Sequence, residues 1–206
     1  MNILVFGDSI AYGKWDEQGG WVQRLRKYID KKYNLIDEPK SWLVYNLGIP
    51  GDLAVRLPER LTIELSQRFF NEETLVIFAI GINDSCANNW MSGKLTPDDE
   101  FKTAIQQSIT IAKQYNCKVC GIGLTPINES KSKGRLFNNK DVERFEDMLA
   151  EVYSQMDIPF LRLFKELNES QFEQLLVDSV HPNSEGHEIL FEKVNEFLHS
   201  QNFLVR

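Results

Sequence analysis

Cysteine is scarce: Cys86, Cys117 and Cys120 are the only three in 206 residues. An odd count, with nothing resembling a secretory leader ahead of the first apolar run, argues against a disulfide framework. Cys117-x-x-Cys120 lacks the second ligand pair that a structural zinc site needs, and strand alternation would turn its two thiols to opposite sides. No run approaches eighteen consecutive apolar residues, so no membrane-spanning helix is expected. Basic residues are outnumbered, with 23 Lys and Arg against 30 Asp and Glu and a net charge of −7. Without a long basic run this composition excludes nucleic acid as a natural partner. Cytoplasmic residence is the default expectation. No repeat, low-complexity tract or linker divides the chain, so residues 1–206 are expected to form one domain around one sizeable core.

What is present alternates. Ile3–Phe6, Trp42–Tyr45, Thr74–Ile80, Lys118–Leu124 and Phe160–Leu163 read as strands, and Thr74–Ile80 is the unbroken apolar run expected in the middle of a parallel sheet. Between and after them lie segments of helical period: Gly20–Tyr33, Leu53–Phe70 with Pro58 in its first turn or at a break, and Pro97–Tyr115 with Thr96 as N-cap. A helix capped by Asn138 or Asn139 then runs to Met156, and Ser184–Phe197 closes the chain. The pattern predicts an α/β fold, a five-stranded parallel sheet with helices on both faces in a three-layer, flavodoxin-like arrangement. Ligands in such folds gather past the C-terminal strand ends. Ser9, Gly48 to Gly51, Gly81 to Asp84 and Thr125-Pro126 all stand there.

Each of these loops, taken alone, is an ordinary turn. Gly-Asp-Ser is common, the glycines suit β-α turns, Asn83-Asp84 suits an Asx-turn, and Asp178 with His181 suits a surface turn before a helix. Their convergence supplies a nucleophile, a base and an orienting carboxylate. Ser9 would project from a tight strand-to-helix turn, His181 would take and return its proton, and Asp178 would orient the imidazole. The backbone N–H groups of Ser9 and Gly51 and the Asn83 amide would surround an oxyanion, where losing one donor typically costs on the order of 10²–10³ in turnover. Asp8, Asn46 and Asp84 are expected to support these loops by hydrogen bonding. His187 is expected to pack in the last helix or at the surface, and His199 to lie away from the site.

These residues carry a resemblance. Gly7-Asp8-Ser9-Ile10, Asn46 to Asp52, Gly81-Ile82-Asn83-Asp84 and Asp178 to Pro182 follow in order over nearly the whole chain. In this the chain resembles the GDSL, or SGNH, hydrolase family, with Ile10 in place of the usual leucine. The resemblance implies a serine esterase or acylhydrolase working through an acyl-enzyme on a small-molecule ester, whether a simple ester, a thioester, a lysophospholipid or an acetylated sugar. No cofactor and no metal is expected, and nothing in the residues signals an oligomeric state. With no extended apolar lid in the sequence, short acyl chains are favoured. Two loops are expected to overhang the site, Ser85–Thr96 with Trp90 and Met91, and Thr125–Lys140 with Lys131, Lys133 and Arg135. Cys86 is expected near it. The competing readings are an acyltransferase, a non-catalytic binder of acylated ligands, and a flavodoxin-like nucleotide or flavin binder. The last lacks a glycine-rich phosphate loop.

Overall fold

The computed structural model describes residues 1–34, 41–68, 72–89, 91–132 and 137–204. Trp90, Lys133 and Arg135, and Phe70 at the expected end of one helix, lie outside them.

Five strands, β1 (Asn2–Gly7), β2 (Leu43–Gly48), β3 (Thr74–Ala79), β4 (Lys118–Ile122) and β5 (Phe160–Leu161), form one all-parallel sheet in the order β2-β1-β3-β4-β5. The β1 side chains divide by parity. Leu4 and Phe6 enter a core with Val76 and Phe78 beneath the helices α3 (Leu57–Arg68), α4 (Asp98–Gln114) and α5 (Asn139–Gln155). Ile3 and Val5 enter a second core with Leu75 and Ile77 beneath α2 (Gly20–Lys32) and α7 (Ser184–Ser200). Both faces of β1 and β3 are therefore dry, the physical reason for their unbroken apolar runs. Cys117 and Cys120 fall into opposite cores, as alternation requires. No cysteine forms a disulfide.

Several boundaries differ from the sequence expectation. The segment from Leu53 starts with a 3-10 turn (Ala54–Arg56) before α3, and Pro58 sits in the first turn of α3, where its missing N–H costs nothing. Thr96 does not cap α4. Pro97 holds the cap position and the Thr96 hydroxyl donates instead to Asp84 Oδ1 at 2.8 Å. Asn138 does cap α5, accepting from Asp141 N. The strands β4 and β5 end two residues early because Glu146, buried on α5, places Oε1 against Leu124 N, Leu163 N and Phe164 N at 3.1, 2.8 and 2.9 Å. A short helix α6 (Phe164–Glu169) follows that carboxylate, and 3-10 turns at Glu129–Lys131 and Phe172–Leu175 complete the chain's path.

Gly7 of β1 is level with Gly48 of β2 and Ala79 of β3. The three loops that leave these strands therefore start at one height, on the edge where the strand order reverses around β1.

Candidate active site

Ser9 opens a single helical turn, α1 (Ser9–Tyr12), directly after β1. Gly7 makes that turn possible: a Cβ there would meet Ala11 Cβ at 2.5 Å and the Ala79 carbonyl oxygen at 2.6 Å. Asp8 caps α1 by accepting from Ile10 N at 2.9 Å. Asn46 clamps the turn from β2, its Nδ2 donating to Ala11 O at 2.8 Å while its Oδ1 accepts from Gly48 N.

Asp178 and His181 occupy a closed turn between the 3-10 turn at Phe172–Leu175 and α7, pinned by the antiparallel bridge of Leu176 with Pro182 and by Val177 N donating to His181 O. His181 Nδ1 lies 2.7 Å from Asp178 Oδ2, and its Nε2 lies 2.8 Å from Ser9 Oγ. The hydroxyl, the imidazole and the carboxylate thus stand in line across 172 residues of sequence. Burial acts to raise the Asp178 pKa, but the N–H groups of Val180 and His181 and the His181 ring outweigh it and hold the carboxyl well below the usual range. This line can pass a proton from serine to histidine while the carboxylate stabilises the resulting cation.

Gly51 and Asn83 arrive from the loops after β2 and β3. Gly51 adopts φ +83°, a backbone conformation that side-chain-bearing residues rarely reach. The Asn83 side chain is buried and spends one N–H on Asp52 O at 3.1 Å. Ser9, Gly51, Asn83 and His181 face one cleft of about 420 Å³, with Lys14, Cys86, Asn88 and Phe137 around them. Asp84 lies under the cleft, accepting from Ala54 N and Thr96 Oγ1, so it ties the Asn83 loop to the segment that follows Gly51. Asp52 in turn pairs with Arg56 at 3.1 Å and with Arg60.

The other two histidines lie where the sequence places them, outside this line. His187 is fully buried in α7, and burial pushes its pKa down to about 4. His199 lies beside Tyr28 OH at 2.9 Å, on α7's far end. Among the described residues no group of three His, Cys, Asp or Glu side chains stands close enough to hold a metal ion. One contact was not foreseen: Trp15 Nε1 donates to Asp178 Oδ2 at 3.0 Å. Its only sequence signal is an aromatic residue between charges shortly after Ser9.

Burial pushes the carboxyl pKa values of both Asp8 and Asp84 up to about 7. Each therefore adds stability that is complete below the unfolded value near 3.8 and is lost as pH rises towards 7. Asp16 runs the opposite way: burial raises its pKa, but Arg24 and the Gln18 and Gly20 N–H groups bring it to about 2, so its contribution is lost as pH falls. The melting temperature is expected to peak between these limbs and to decline by a few degrees towards neutral pH. Asp84→Asn keeps the acceptor for Ala54 N and removes the titration, so calorimetry should show a shallower decline. An unchanged slope would clear Asp84 of that role.

A parallel sheet in 2-1-3-4-5 order with this serine-histidine-carboxylate line at its C-terminal edge defines an SGNH-type hydrolase. Residues 5–189 match the GDSL-like Lipase/Acylhydrolase family, and the chain belongs to it. No curated protein matches the sequence significantly. Solved structures share the fold at low identity. An acetylxylan esterase from Geobacillus stearothermophilus superposes with a TM-score of 0.75 at 19% identity, over 96% of this chain and 93% of that one. A lipase/acylhydrolase from Enterococcus faecalis gives 0.75 at 20%, over 97% and 96%. A lipolytic protein of the G-D-S-L family from Veillonella parvula gives 0.70 at 20%, over 95% and 97%.

Proposed function

We propose that the protein is a serine esterase that hydrolyses carboxylic esters with short acyl groups, acetyl esters foremost, through an acyl-enzyme on Ser9. The carrying observation is the Ser9 Oγ to His181 Nε2 separation of 2.8 Å with Asp178 behind the ring. His181 removes the Ser9 proton as Oγ attacks the carbonyl carbon, then gives it to the leaving alcohol; a water molecule repeats the sequence on the acyl-enzyme. The developing oxyanion is taken by the Ser9 and Gly51 backbone N–H groups and by the second N–H of the Asn83 amide. These donors and the relay come from the chain itself, so no metal or cofactor enters a step.

Short chains are favoured by the cleft. Its volume of about 420 Å³ sits at the low end for ligand sites, and polar Lys14, Asn88 and Asn89 share its lining with Phe137. The fold neighbours named as acetylxylan esterases support acetyl groups on a carbohydrate as one form of this chemistry. Rates of p-nitrophenyl ester hydrolysis from acetate to palmitate test the reading. kcat/KM is expected to be highest at acetate or butyrate and at least tenfold lower at palmitate. An optimum at long chains would overturn the short-chain assignment, and no hydrolysis of any ester by folded protein would overturn the esterase.

A further inference from the structure

The two oxygens of Asp178 are held differently. Oδ1 receives the backbone N–H groups of Val180 and His181 and lies 2.9 Å from the His181 ring Nδ1, all from its own turn. Oδ2 receives the His181 ring at 2.7 Å and, from the loop after Ser9, the Trp15 indole at 3.0 Å. The carboxylate is 41% exposed, so an unheld oxygen would be solvated and free to turn. We propose that Trp15 is a positioning residue for the Ser9-His181-Asp178 relay, fixing the outer Asp178 oxygen through its indole N–H. The inference rests on the esterase reading above and adds a member to the site that neither the sequence motifs nor the triad requires.

Three further observations support it. Trp15 has φ +67°, a left-handed conformation that is an outlier for so bulky a residue. Strained backbone of this kind persists where the surroundings over-determine it, and it clusters at functional sites. The surroundings here are specific. Lys14 N and Gly13 N both donate to Ser9 O, and Asp16 N donates to Gly13 O, so the loop is built directly on the nucleophile's own carbonyl. On the other side Asp16 is locked by Gln18 N, Gly20 N and Arg24, and Arg24 reaches Ser184 and Glu188 at the start of α7. Trp15 is thus held between the Ser9 turn and the helix that follows His181, while its ring remains 59% exposed. An exposed indole in a strained conformation is poorly explained by packing and well explained by its one hydrogen bond. Finally, the Lys14 ammonium lies 5.0 Å from the Trp15 ring centre, which draws electron density from the indole and sharpens its N–H as a donor.

The sign of the effect follows. With the indole donor gone, Oδ2 carries more negative charge towards His181 and stabilises the imidazolium. His181 then holds its proton to higher pH, and the acid limb of kcat/KM moves up. The other charged or titratable groups that face this region are unaltered by the substitution. Lys14 stays on the same loop, and the Asp16–Arg24 pair stays closed behind it. The Lys131 ammonium stays on Leu176 O at 2.6 Å, and His187, with its low pKa, stays neutral in α7.

The test compares Trp15→Phe and Trp15→Gly with the parent. Phenylalanine keeps a ring and the strained φ but has no N–H; glycine removes both ring and strain. Both variants are expected to lose about five- to tenfold in kcat on p-nitrophenyl acetate, with KM within twofold, and to shift the acid limb up by about half a pH unit. NMR titration of the three histidines should show the His181 imidazole shifted up by a similar amount in both variants, with His187 and His199 unmoved. A lowered melting temperature in either variant with an unmoved limb and an unmoved His181 titration would make Trp15 a structural residue and overturn the proposal. The NMR arm does not depend on turnover. A parent that cleaves no ester therefore overturns the esterase reading, while the titration still decides the role of Trp15.

Discussion

Ser9→Ala is expected to fold as the parent does and to lose ester hydrolysis by at least about 10⁴-fold. The loss follows from chemistry: without Oγ there is no atom to carry the acyl group, and His181 has no proton to take. The retained fold follows from the local structure. The start of α1 is capped by Asp8 rather than Ser9, and the Ser9 hydroxyl's recorded partner is the His181 ring. Alanine keeps the Cβ and adds nothing to a position only 4% exposed. Removing a buried hydroxyl leaves His181 Nε2 facing the cleft, where water can reach it, so the melting temperature should move by no more than a few degrees. Activity on p-nitrophenyl acetate measured beside a thermal melt checks both halves. A variant that keeps more than about a hundredth of the activity would remove the acyl-enzyme on Ser9 and leave the cleft to some other nucleophile, for which its lining offers Cys86.

How far the sequence discloses the molecule depends on how local each cause is. The strands β1 and β3 are legible because burial on both faces leaves a continuous apolar run, a property of the segment itself. The helix α5 is legible from Asn138, whose side chain caps a donor three residues on. The ends of β4 and β5 are not, since what stops both ladders is one carboxylate, Glu146, on a different element. Thr96 misleads for the same reason. It has the chemistry of a cap, and Asp84, 12 residues back and fully buried, claims its hydroxyl first. Three of the four site motifs sit past strand ends, where parallel sheets gather ligands, and the fourth, Asp178 to Pro182, stands just before the last helix. The structure then brought Ser9, His181 and Asp178 within hydrogen-bonding distance and set Gly51 and Asn83 on the same cleft. Trp15 was illegible: its partner is 163 residues away and its backbone conformation contradicts the preference of its residue type.

Asp178→Asn is expected to cost about 10⁴-fold in kcat on p-nitrophenyl acetate while leaving KM within a few-fold, a larger loss than its one-atom change suggests. The reason lies in which groups face the carboxylate: all four are donors, Val180 N, His181 N, Trp15 Nε1 and His181 Nδ1, the last within reach of both oxygens. An asparagine has one oxygen to offer them. Two backbone N–H groups converge on the Oδ1 position, so the amide oxygen settles there and the NH₂ takes the place of Oδ2. It then confronts the Trp15 N–H with another donor and, standing at the closer of the two positions to the ring, 2.7 Å against 2.9 Å, meets His181 by donating to a bare Nδ1. That fixes the imidazole proton on Nε2, which points at Ser9 Oγ and can no longer accept its proton. The base is intact, correctly placed and in the wrong tautomer. Kinetics of the variant against the parent, with the binding of a non-hydrolysed ester analogue as control, separates this from simple misfolding. Should Asp178→Asn keep a tenth of the parent's kcat, the carboxylate does not set the tautomer, and Trp15 would have nothing of consequence to position.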